Sequence, residues 1–494
     1  MINKKSKLLT ISSIILIVSL YSITLFPYNY CSDIYNYFVD GYTKYAIDWF
    51  IPAGRNIGVI VLIFLDLLNV EINTYIFIMK IIAIILCCIT TYTFSNFVFS
   101  FVNKEKDKTS LCTKISCMLG IFLLFLNNST YDFFYYAESG IMWLGVFLTI
   151  LSVITFVNKK TKFYLIKSFI LLFVAMNAYQ STILIFIPLT LLFTTLKLKE
   201  FKLIVLETIK TGLLVAINLL IGFLSIKFLS NIFNSYGFTP VKFIIDFEAI
   251  KEVFLRLIYQ DFITKSPNYF LLISNILAIF IALIIPKKHY KINKLISILL
   301  IISIILISFI EVLCICSLSN FYVAYRVEFT YVSLPGIIVL FFVLFTDLSS
   351  KKILGKLLIF LASLLLIQNI ILSNYATMIH RYSRQLDVYE GTIIAKKVKE
   401  YQESSNINLK YIKFCVDYDY NHFHPEISYY NEGTFRIFAS RWVIENAINY
   451  FSNTNLIAES DQHVHGDYFD KKDWDTFSEE QITFDGDTMY FCIY

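Results

Sequence analysis

The sequence predicts an all-α polytopic membrane protein of about eleven transmembrane helices, followed by a small external α/β domain. Three observations carry this. Of 494 residues, 57% are hydrophobic and 16% charged, and the mean hydropathy is +0.66, an apolar load that a soluble chain of this size does not bury. Apolar runs approaching the ~20 residues a helix needs to cross a bilayer recur along the chain. The short loops between alternate runs are Lys-rich (KEKDK, NKKTK, KKHYKINK), the mark of cytoplasmic segments.

In chain order, Lys4, Lys5 and Lys7 precede an apolar run to Phe26. No small-residue cleavage pattern follows, so the run reads as an uncleaved first span with a cytoplasmic N-terminus. The further predicted spans are 75–101, 113–127, 138–157, 163–181, 182–196, 205–230, 269–286, 295–313, 330–347 and 357–374. Residues 56–72 also look apolar enough. A crossing there would place KEKDK and every later Lys-rich loop outside, so they read as a juxtamembrane or re-entrant helix containing Asp66. Residues 1–374 thus form the membrane domain, with 27–74 as its first outer loop. After Asn374 the composition turns polar and acidic. Residues 375–494 read as an external C-terminal domain, with a helix over 383–403, a strand-like KYIKFCV, a helix near 440–451 and a terminal strand-like TMYFCIY.

The net charge of +5 is spread over loops, so the expected partners include membrane lipids and no nucleic acid. Nine cysteines form no CxxC pair; Cys415 and Cys492, both in the tail, are candidates for a disulfide. His422 with His424, and His463 with His465, lack a third ligand at metal spacing, so no metal site is assigned. No Walker A loop, GxGxxG, GxSxG or HExxH occurs, which argues against cytosolic nucleotide use and serine or zinc hydrolysis.

The chemistry concentrates in residues 28–55, YNYCSDIYNYFVDGYTKYAIDWFIPAGR. Asp33, Tyr37, Asp40 and Lys44 would share one helix face. Asp33 and Asp40 are the candidate catalytic carboxylates, as general bases beside tyrosines and a cation. The plainer reading is a solvated helix in which Lys44 pairs with Asp40 or Asp48. Arg55 suits a phosphate or a site carboxylate, or anchors a helix at the interface. In the second outer loop, STYDFFYYAESGIMW, the acids Asp132 and Glu138 flank Tyr135 and Tyr136. That set suits a sugar, with aromatic faces on its C–H groups and carboxylates on its hydroxyls; the alternative is an interfacial aromatic belt. In NAYQST, Tyr179 and Gln180 line a cavity or join helices. Arg326 could neutralise a phosphate or snorkel, and Arg381 and Arg384 are weaker phosphate candidates.

At SDIYNYFVDGYTKYAIDWFIPAGR the chain resembles the bacterial glucosyl transferase II family, the O-antigen-modifying, serotype-converting membrane glucosyltransferases, and through them the GT-C class. The segments YDFFYYAESGIMWLG, AYQ and NYATMIHRYSRQLDVYEG are similar to further stretches of that family. Members often carry two adjacent acids in the first loop; here Ser32 precedes Asp33. The resemblance implies a GT-C-like fold in the bacterial cytoplasmic (inner) membrane, a polyprenyl-phosphate sugar donor and a cell-surface glycan acceptor such as O-antigen or teichoic acid. It implies Asp33 as base, Arg55 and Arg326 balancing the leaving phosphate, and no assigned cofactor, with a divalent cation left open. An O-antigen or capsule polymerase or ligase is the alternative. A transporter of lipid-linked sugar ranks below both, because the span charges (Lys80, Glu207, Lys210, Lys227) lie mostly toward interfaces and no paired broken helices appear.

Overall fold

The computed structural model describes residues 4–26, 30–103, 111–160, 162–198, 200–235, 329–345, 352–416, 436–439, 443–459, 463–464, 468–469, 471–474 and 476–493. Helix α1 (Lys4–Tyr21) ends in a 3-10 turn, Ser22–Leu25, and two short helices follow in the first loop, α2 (Ile34–Tyr45) and α3 (Asn56–Leu67). The next five are α4 (Ile72–Val102), α5 (Leu111–Phe125), α6 (Asn128–Asp132), α7 (Ser139–Asn158) and α8 (Tyr164–Ala178). After them come α9 (Phe186–Lys197), α10 (Phe201–Phe233), α11 (Phe329–Val332), α12 (Leu334–Phe345) and α13 (Lys352–Ser405). The tail adds α14 (Ile444–Ser452) and strands β1 (Tyr411–Val416), β2 (Ile457–Ala458), β3 (His463–Val464), β4 (Ile482–Asp485) and β5 (Thr488–Ile493).

The chain is a mostly helical membrane protein. Among the described residues, five helices are long and apolar enough to cross a membrane: Ile72–Val102, Ser139–Asn158, Gln180–Lys197, Lys202–Phe233 and Gly355–Ser405. A sixth appears if Leu111–Phe125 and Ser129–Tyr135, bent by 49°, are taken as one span. The bend has a local cause. Asn127 closes a capping box with Thr130, so a new helix starts two residues after α5 stops. Leu9–Leu25, Tyr164–Ala178 and Leu334–Phe345 are apolar but shorter, and the predicted spans 269–286 and 295–313 lie outside the described residues. At ~1.5 Å per residue, α3 reaches only about 18 Å, well short of a ~30 Å hydrocarbon core. It is a short apolar helix containing Asp66.

Helix α7 lies at the centre, between α4 and α8, while α12 packs on α5. Trp143, Val146, Ile150 and Val153 bury one face of α7 completely. Lipid is as apolar as these side chains, so close packing and interhelical hydrogen bonds hold such helices together. Accordingly, the hydroxyls of Ser152 and Ser168 each donate to the other's carbonyl, at 2.9 and 3.3 Å, across α7 and α8. Outer faces stay apolar, as with Leu220, Phe223 and Phe228 on α10. The span charges are held: Glu207 sits between Lys159 and Lys210, each 2.8 Å away. Lys80 is buried on α4 and donates to the Thr24 carbonyl, at the end of α1, at 3.0 Å.

Two expectations change in the last quarter of the chain. The final span and the helix over 383–403 are one unbroken helix, α13, of 54 residues. The polar shift after Asn374 changes what surrounds the helix without interrupting it, because NYATMIHRYSRQ contains neither glycine nor proline. Cys415 and Cys492, the candidate bridge, are buried and lie in register on β1 and β5 without a disulfide between them.

The sheet runs β2-β1-β5-β4, with β3 also pairing with β1. β1 is parallel to β2, β3 and β5, and β4–β5 is an antiparallel pair. Ile412, Met489 and Phe491 of this sheet and Ile444 and Ile448 of α14 share one hydrophobic cluster with Tyr35 and Tyr37 of α2. The tail is therefore packed onto the first loop.

Candidate functional site

The first loop, the second loop and the break after α8 meet at one place. Arg55 donates from Nη1 to Glu138 Oε1 at 2.7 Å, across 83 positions of sequence. Its guanidinium also lies over the rings of Tyr179, at 5.1 Å, and Phe50, at 5.5 Å. Gln180 donates its side-chain amide to the Ala53 carbonyl. Asn56 Nδ2 donates to Asn177 Oδ1 at 2.6 Å, and the Cys31 backbone N–H donates to the Tyr135 carbonyl at 2.9 Å.

Local sequence explains the convergence. Tyr179, extended at φ −159°, ends α8 and opens the Gln180–Ile183 turn. Gly54 takes φ +68°, and a Cβ there would lie 2.5 Å from Ile226 Cδ1 and 2.6 Å from Gln180 Nε2. Only glycine allows both that backbone conformation and that approach. Glu138 is the residue before α7 begins, where a carboxylate complements the helix dipole.

Asp33 is the residue before α2 and is half-buried. Asp33 and Glu138 both act on Tyr45: burial pushes its phenol well above its ordinary range, and the charges of Asp33 and then Glu138 push it further. Tyr37 stacks on Tyr45 with ring centres 3.8 Å apart. Its phenol is likewise pushed well up, by burial first and by Glu138 next. Both tyrosines therefore stay neutral at physiological pH.

The remaining candidates divide. Asp132 and Tyr136 are buried. Tyr135 is buried too, with its ring on that of His380 of α13, 4.2 Å between centres. Asp40 does not join the group. The helix that carries Asp33, Tyr37 and Asp40 breaks at Gly41 (φ 74°, ψ 176°), before Lys44, with Tyr37 buried and the Asp40 side chain 14% exposed. There Asp40 accepts from Lys44 at 2.6 Å, in a cleft of about 490 Å³ that also holds Asp48 and Asp66. The hydrogen bond that Lys44 donates to Asp40 raises the Lys44 pKa, and this pairing is the plainer sequence reading. Arg326, His422, His424 and His465 lie outside the described residues. Among the described residues, no group of three or more His, Cys, Asp or Glu side chains could hold a metal ion.

A buried charge network borders this site that sequence reasoning missed. Arg384 and Asp387 of α13 are fully buried and 3.0 Å apart. Arg436 Nε donates to Asp387 Oδ1 at 2.7 Å, and Arg436 also pairs with Glu390. Tyr30 and Tyr35 feel the charges of both Arg384 and Asp387. A signal existed in the spacing 380, 384, 387, which is one face of a helix. It was hidden because Arg436 is 49 positions further along the chain.

No protein-family profile, curated protein or solved structure matches this chain.

Proposed function

We propose that this protein is a GT-C-type membrane glycosyltransferase of about eleven spans. It moves a sugar, with glucose the first candidate, from a polyprenyl-phosphate donor to a cell-surface glycan at the outer face of the cytoplasmic membrane. The observation that carries the reading is the Arg55–Glu138 pair, which brings the acid-bearing first loop and the aromatic second loop together beside Asp33.

In this reading Asp33, the most accessible acid of the junction, takes the proton of an acceptor hydroxyl. That oxygen attacks the anomeric carbon, the bond from this carbon to the phosphate oxygen breaks, and the lipid phosphate leaves with the electron pair. Glu138 and the neutral hydroxyls of Tyr37 and Tyr45 hold the sugar. Arg55, fixed by Glu138, and Arg326 offset charge on the leaving group, a contribution that a water-poor site makes large. Asp40 falls outside this proposal, since it is bonded to Lys44.

The test uses membranes supplied with polyprenyl-phosphate glucose. Asp33→Asn abolishes sugar transfer while leaving protein levels intact, whereas Asp40→Asn retains it. Transfer that persists without the Asp33 carboxylate rejects it as the base. A mass difference in the surface glycan with and without this protein identifies the sugar.

A further inference from the structure

Helix α13 carries an apolar stripe that does not stop where its apolar part ends. Within that part Phe360, Ile367 and Ile371 are exposed, as side chains facing lipid are. Beyond Asn374, where the composition turns polar, the stripe continues through Tyr375, Met378, Tyr382 and Tyr389, all exposed. Steps of three and four residues, with the tyrosines seven apart, keep them on one side of the helix. His380 and Asp387, which meet Tyr135 of the second loop and Arg436 of the tail, lie on the opposite side. Tyr375 suits the aromatic belt at a membrane surface, but Tyr389 does not. At ~1.5 Å per residue it stands about 22 Å beyond Asn374, past a headgroup layer of roughly 5–7 Å. Even so, it is 65% exposed and Tyr382 52%. A row of large apolar side chains on this scale, outside the lipid, marks a docking surface.

Three properties of the stripe choose its occupant. It runs along one unbroken helix from the apolar part into the polar part, so a single partner that covers all of it must itself pass from lipid into water. It is uncharged. The exposed Gln385, between Tyr382 and Tyr389, is an amide that can donate to and accept from an identical amide. Arg381 is turned onto the Phe26 ring, 5.4 Å from Cζ to the ring centre, and the next residue on the same line, Lys396, engages Glu400. Finally, the four half-exposed aromatic side chains alone bring roughly 400 Å² per copy, half of what a standard interface uses, before the aliphatic ones are added. We propose that this face is the interface between two copies of the chain, with α13 paired parallel and in register. Copies inserted in one membrane share one orientation, so each stripe residue meets its own twin across a two-fold axis. That symmetry sets any charge against itself, and an uncharged stripe satisfies it. The seven-residue repeat fits a left-handed helix pair. The pairing does not depend on the transfer chemistry.

The experiment places the photo-crosslinker p-benzoylphenylalanine at Tyr382 or Tyr389 of the full chain and irradiates native membranes. A product of twice the chain mass is expected, in which both linked peptides come from α13, whereas the same crosslinker at Phe223 of α10 gives none. In parallel, two differently tagged copies are co-expressed and should purify together. Tyr389→Glu in both copies lowers that recovery about tenfold, as like charges set against each other do. A Tyr389→Glu copy paired with a Tyr389→Lys copy restores it, which variants that failed to fold would not do. Absence of the doubled product at both positions overturns the proposal. So does linkage of α13 to another protein, a glycan or lipid in place of itself, or recovery that Tyr389→Glu leaves unchanged.

Discussion

Arg55 and Glu138 show how much one ion pair can organise when it is partly buried. Their side chains are 20% and 4% exposed, so removing one partner leaves the other charge poorly solvated, at a cost of about 3 kcal/mol. We expect Arg55→Ala and Glu138→Ala each to lower the unfolding midpoint in detergent. The double variant should cost less than their sum, by a coupling of about 1–3 kcal/mol, and additive losses would contradict the pairing. A second residue-scale outcome concerns Cys415, whose thiol burial pushes up to about 11. The thiolate is the reactive form, so Cys415 should resist iodoacetamide at pH 8 in the folded protein and label fully after denaturation, read by peptide mass spectrometry. At this scale the sequence was legible where chemistry is local. A site-carboxylate contact for Arg55 and a cavity or helix-joining role for Gln180 were both readable. For Asp40, the bond to Lys44 is the plainer of the two roles that helix spacing allowed.

At the scale of elements, α2 depends on what lies above it. Tyr450 of α14 stacks on Phe38 at 4.5 Å, Tyr35 meets Tyr450 at 5.4 Å, and Asn446 donates to Asn36 at 2.9 Å. α14 in turn rests on α13, where Phe451 leaves room only for Gly391. A proline in the middle of α13 removes a backbone hydrogen bond and costs about 3 kcal/mol. Ala376→Pro is therefore expected to loosen the tail from the first loop. Limited proteolysis checks this: cleavage near Asn36 and Asn446 should speed up together, and unchanged cleavage at both would show that α13 does not hold them. Most elements were legible from apolar periodicity, including α3 and the tail's β1 and β5. The continuity of α13 was not, because hydropathy reports the solvent a helix meets, whereas backbone preference decides where it stops.

For the whole molecule, the proposed orientation puts the tail on the side away from the cytosol. Ser404 is exposed near the end of α13. A Ser404→Cys variant should react with a membrane-impermeant maleimide in intact cells, above the level of the parent chain. Reaction only after permeabilisation would reverse the orientation. The Lys-rich loops carry this reading, since charge asymmetry is written in the sequence itself. The meeting of loops separated by more than 80 positions was harder to foresee, because nothing within either segment names its partner.

An unbroken α13 of 54 residues is a rod about 80 Å long. Anchored in lipid at one end and to the β-sheet at the other, it turns each degree of lean into roughly 1.4 Å of sweep at its far tip, by the same length. Helices lean to suit the depth of hydrocarbon around them. A thicker or thinner bilayer would therefore shift the roof over Asp33, making membrane thickness a mechanical input to the loop beneath.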